Sequence, residues 1–136
     1  MQKMCLLLHL VLLLNLSIRA DVEFQTVRFF ESGSEATELS ARKYHATFIQ
    51  SDTRYIFYEV SLKNLRHRQE DQDVKIVAHY YYPDGSLFGS PELEYAVPKE
   101  WNVFYLWHGW GWDTPGNWTV GKYRVEISID GANVME

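Results

Sequence analysis

The chain beyond its first twenty residues reads as a series of short segments in which apolar and polar positions alternate. Ile56, Tyr58, Val60 and Leu62 alternate with Phe57, Glu59, Ser61 and Lys63. A period of two places every second side chain on one face, so this pattern predicts a strand with one face buried. Val74, Ile76, Ala78 and Tyr80 repeat the pattern, as do Tyr123, Val125, Ile127 and Ile129. Leu93, Tyr95 and Val97 predict a shorter strand ended by Pro98, and Val103 to Trp107 predicts another. Val22 to Phe30 and Tyr44 to Ile49 are also strand-like.

Turn chemistry separates these segments. Pro83-Asp84-Gly85 combines a residue that presets φ with one that accepts a positive φ, and Asp130-Gly131 is a strong hairpin signal. Glu31 to Lys43 is polar and fits either a loop or one helical turn. Arg66 to Asp73 is the most charged run and is expected to be a solvated hairpin loop. About seven strands with turns between them predict an all-β, antiparallel sandwich of the immunoglobulin-like kind.

The first twenty residues differ in kind. Lys3 is followed by the apolar run Leu6 to Leu16, and Ala20 ends the segment as a small residue suited to cleavage. This is the layout of a secretory signal peptide; the alternative is an uncleaved anchor, for which the run is short of the ~20 residues a span requires. The expected division is residues 1–20 as signal peptide and 21–136 as one domain. The protein is then extracytoplasmic, secreted or periplasmic, with no membrane span in the mature chain. Cys5 lies in the leader, so the mature chain has no thiol for a disulfide, a nucleophile or a thiolate metal site.

Loss of Lys3 and Arg19 from 13 basic residues leaves 11 against 18 acidic ones, a net charge of −7. Such a balance disfavours nucleic acid and anionic lipid as partners. Chemistry is sparse. The mature histidines, His45, His67, His79 and His108, lack metal-ligand spacing. Ser61, Ser90 and Ser128 lack a nucleophile elbow, and Glu92 and Glu94 share a strand face as solvated pairs do. No phosphate-binding glycine loop is present, and no cofactor and no enzymatic activity are expected.

The distinctive feature is the placement of all five tryptophans between Trp101 and Trp118. Trp101, Phe104, Tyr105, Trp107 and Trp118 are expected to fill the core of a domain that has no disulfide. Trp110 and Trp112 alternate with Gly109 and Gly111, and a glycine beside an indole admits close approach of a ligand. With Asp113 and Asn117 they form the candidate ligand-binding set, a wall for stacking sugar rings. One of the pair, Trp112, is expected to pack partly under the loop while Trp110 is exposed.

In Trp118-Thr119-Val120-Gly121-Lys122-Tyr123-Arg124-Val125, Tyr123 occupies the place of a tyrosine corner, and Val125 the place that antibody domains give to a cysteine. From Phe29 to Gly131 the chain resembles an uncharacterised immunoglobulin-like module of bacterial exported and multidomain proteins. The matching pieces are Thr53-Arg54-Tyr55-Ile56, YYYPDGSLFG, GWGW and GNWTVGKYRVEISIDG. The resemblance implies an accessory or binding role beside other domains, with the final strand short or cut off after Asp130. The expected function is a non-catalytic module acting through protein–protein contacts; the alternative is a carbohydrate-binding module using the tryptophan-rich loop 107–118.

Overall fold

The computed structural model describes residues 20–135, so the leader expected at residues 1–20 lies outside the described residues but for Ala20. The described chain is all-β and forms two antiparallel sheets around one core. Strands β1 (Val22–Ser32), β2 (Tyr55–Asn64) and β6 (Val103–Gly111) form the first sheet, in the order β1-β2-β6. The second has the order β4-β3-β7-β8, from β3 (Gln72–Tyr81), β4 (Leu87–Gly89), β7 (Arg124–Ile129) and β8 (Ala132–Met135). Strand β5 (Glu92–Val97) lies beside β4 on the same edge of β3.

The alternation sets the inward faces. Tyr58, Val60 and Leu62 of β2 meet Val74, Ile76, Ala78 and Tyr80 of β3, and Ile127 and Ile129 of β7 complete the layer. Register fixes this, because Val125, Ile127 and Ile129 lie opposite Tyr80, Ala78 and Ile76, and cross-strand partners share a face. Both turns form where predicted. Gly85 takes a positive φ between β3 and β4. Asp130 and Gly131 both have positive φ, the requirement of the tight hairpin turn joining β7 to β8.

Three expectations are corrected. The charged run Arg66 to Asp73 is no hairpin, because β2 and β3 belong to different sheets and the loop carries the chain from one to the other. The strand expected from Tyr44 to Ile49 is reduced to one bridge, Tyr44 to Phe30. Strand β6 runs on past Trp107 to Gly111, against β2 from Lys63 to Tyr55. Its passage at Gly109 has a steric reason: a Cβ there would lie 2.7 Å from the ring of Phe57.

The outer face of the first sheet is also covered. Phe57, Glu59 and Ser61 point away from the core, yet each is buried. The segment between β1 and β2, which holds a short 3-10 turn at Leu39–Ala41, reaches Glu59 through Arg42 and Tyr44. Phe30 stacks on Phe57 with ring centroids 5.2 Å apart and meets the edge of Tyr44.

Candidate functional site

Strand β6 lies at the open edge of its sheet, with β2 as its one strand neighbour among the described residues. Edge strands of monomeric proteins usually carry charges, proline or bulges that discourage pairing with another chain. The β6 sequence VFYLWHGWG has no proline and no Asp, Glu, Lys or Arg, and its pairing with β2 continues without a register break. Alternation puts Phe104 and Leu106 into the core and Val103, Tyr105 and Trp107 on the outer face, where they are 46%, 40% and 41% exposed. Trp101, in the turn before β6, stacks on Tyr95 of β5 at 5.7 Å, and both rings are exposed. These side chains and Leu39 line a groove of about 640 Å³ along the β5–β6 side of the molecule.

Trp101, Tyr105 and Trp107 therefore do not fill the core as expected; of the five aromatics, Phe104 and Trp118 do. The reason lies in parity and position. Tyr105 and Trp107 fall on the outer face of β6, and Trp101 lies before the strand begins. No sequence signal marked Tyr95 as the partner of Trp101, since the two come from different segments. The absence of charge along β6 was the readable clue.

Of the candidate set Trp110, Trp112, Asp113 and Asn117, the two indoles both meet the ring of Phe88, at 6.1 and 5.3 Å. Trp110 lies at the end of β6 on Gly89, where a Cβ would come within 2.6 Å of the indole, and it remains partly exposed. Trp112 packs under the loop against Phe88 and Trp118, at 5.3 and 5.6 Å. Asp113 accepts a hydrogen bond from the Tyr55 hydroxyl at 3.2 Å, and the Asn117 amide donates to Thr114. The two polar members are thus engaged with the protein itself. Trp118 is buried and its indole N–H donates to the Arg54 carbonyl at 2.7 Å. The Tyr123 ring is only half-buried, while its hydroxyl accepts from the Thr119 N–H at 2.9 Å.

Behind Trp107 lies a buried charge cluster. Glu59 accepts hydrogen bonds from Arg28 at 2.8 Å, from Arg42, and from the Tyr44 hydroxyl at 3.0 Å. Glu59 and the Arg42 side chain are almost wholly buried, while that of Arg28 is 46% exposed. Burial pushes the Glu59 carboxyl up, but the bonds from Arg42, Arg28 and Tyr44 outweigh it and hold the group below its ordinary value. The Arg42 guanidinium also lies 4.1 Å over the Trp107 ring and 4.6 Å over that of Phe30. Glu59 thereby ties the segment between β1 and β2 to the sheet and fixes the inner side of Trp107.

Other polar groups are scattered. His79 Nδ1 meets the Ser90 hydroxyl at 2.7 Å. Glu126, opposite His79 in the register, is taken up by Tyr81 and Arg124. Burial lowers the His108 pKa. Among the described residues no three His, Cys, Asp or Glu side chains come together as a metal site, and no helix is long and apolar enough to cross a membrane. No protein-family model matches the chain, and no curated protein matches it.

Proposed function

We propose that this chain is a secreted, non-catalytic interaction module of immunoglobulin-like fold that binds a protein partner through the open edge of β6. The observation that carries the reading is the uncharged β6 strand, with Val103, Tyr105 and Trp107 exposed along its outer face. An unpaired strand offers backbone donors and acceptors in a row, and side chains on alternate positions supply selectivity. Aromatic side chains add contact area at little entropic cost.

The immunoglobulin-like assignment rests on two features. The chain crosses between sheets after β2, β5 and β6 and ends in the β7–β8 hairpin, as in Greek-key sandwiches. The Tyr123 hydroxyl bonds the backbone four residues upstream, the geometry of a tyrosine corner.

The glycan reading at Trp110, Trp112, Asp113 and Asn117 ranks second, because Asp113 and Asn117 already bond to Tyr55 and Thr114. Affinity capture from the native secreted fraction, with wild type and Tyr105→Lys side by side, tests the proposal. Polypeptides retained by the wild type and lost with the variant are the expected result. Identical retention by both, or saturable glycan-array binding abolished by Trp110→Ala, overturns it.

A further inference from the structure

We infer that the partner accepted by the β6 edge is a second copy of this chain, docked antiparallel about a two-fold axis at Tyr105; this rests on the edge reading above. The outward positions of β6 that carry exposed side chains are Val103, Tyr105 and Trp107, with Tyr105 in the middle, and the face continues through Gly109 and Gly111 without side chains. In an isologous pairing each surface meets its own copy. Tyr105 then faces Tyr105 of the second copy, and Val103 faces its Trp107. On the inward face Phe104 faces the second copy's Leu106. From Val103 to Trp107 every facing pair is apolar or aromatic; beyond them His108 faces Asn102 and Trp110 faces Glu100, and no like charges are brought together.

The available surface sets the strength of the contact. Leu39, Tyr95, Trp101, Val103, Tyr105 and Trp107 are each 37–52% exposed along this groove. At the ~150–250 Å² that an aromatic side chain presents, they offer on the order of 500 Å² per copy. About 1,000 Å² for the pair is the lower bound of a specific interface, so the dimer is weak and reversible rather than obligate.

The opposite side of the molecule lacks this pattern. There a groove of about 590 Å³ between β1 and β7 carries Lys122 and Arg124, and two copies meeting across it would oppose like charges.

Sedimentation velocity across about 1–500 µM tests the inference, since a weak dimer dissociates within that window. The expected result is a wild-type mass that rises from monomer toward dimer. A Tyr105→Lys variant of unchanged thermal midpoint should remain monomeric, because lysine on an edge opposes pairing. Register is tested with Tyr105→Cys. Directly opposed residues have Cα atoms ~4.5–5.5 Å apart, within disulfide reach. Mild oxidation should therefore give a covalent dimer in large excess over a Val120→Cys control. A wild type monomeric throughout, or a Tyr105→Cys yield no greater than the control, overturns self-pairing. If the wild type is monomeric while Tyr105→Lys still loses captured polypeptides, the edge reading stands and only the choice of partner fails. If neither is observed, both fall.

Discussion

Glu59 is the side chain whose role was least visible in the sequence. Its alternation marks it as outward-facing, and an outward Glu is ordinarily solvated. Its burial depends on Arg42, from the polar run Glu31 to Lys43, and on Tyr44, at the start of a strand-like segment, and neither local pattern indicates which strand it will cover. Removing one partner of a buried ion pair strands the other, and Glu59→Ala should cost about 3–5 kcal/mol. Arg28→Ala should cost less, about 1 kcal/mol or below, because its side chain is 46% exposed. Urea unfolding of both variants checks the order. The depressed Glu59 carboxyl contributes stability that is complete above its unfolded value near pH ~4.3 and is lost as pH falls through its lower folded value. The acid limb of stability against pH should accordingly be shallower in Glu59→Gln than in wild type. Tyr123, in contrast, was legible from its place before an alternating strand. Its hydroxyl accepts from the Thr119 N–H and its ring is half-buried. Tyr123→Phe should cost about 0.5–1.5 kcal/mol, the net worth of one hydrogen bond, measured as a fall in urea midpoint. Tyr58 offers the opposite case. Its buried hydroxyl has no hydrogen-bond partner among the described residues, so Tyr58→Phe should be at least as stable as wild type by the same measurement.

Among the strands, period-two alternation located β2, β3 and β7 with their inward faces, because it records directly which side chains avoid water; it also located β5, where Tyr95 of the alternating set is exposed. It could not report which strands pair. The loop from Arg66 to Asp73 looks the same in composition whether it joins neighbours in one sheet or bridges two sheets. The tryptophan-rich segment was misread for a related reason. Hydrophobicity identifies aromatic rings but not the side of the strand on which they fall, and β6 carries apolar residues on both faces. The three indoles from Trp110 to Trp118 grade from partly exposed to buried. Alanine substitutions should follow that order in thermal midpoint, with Trp118→Ala the most damaging at about 3–5 kcal/mol, Trp112→Ala next and Trp110→Ala least. Equal losses at all three would mean that the loop is a single packed unit and that Trp110 offers no accessible ring.

For the molecule as a unit, the all-β class and a single core were readable because they follow from summed local patterns. The proposed interaction surface was not, because it joins β5, β6 and the turn between them with Leu39 from the segment between β1 and β2. The two sheets leave two open sides of different chemistry. One is aromatic along a β6 strand that has no Asp, Glu, Lys or Arg, with Glu100 in the turn before it, and the other carries Lys122 and Arg124 near β7. The central claim is that the first of these is where the molecule meets its partner. A photo-reactive side chain placed in turn at Tyr105, Ile49, Val120 and Lys122, all exposed, and irradiated in whole culture of the producing cells, tests that claim most directly. Adducts concentrated at position 105, whether of twice the chain mass or with another polypeptide, are the expected result. Adducts spread evenly over the four positions, or concentrated at Val120 or Lys122 with none at 105, would contradict it.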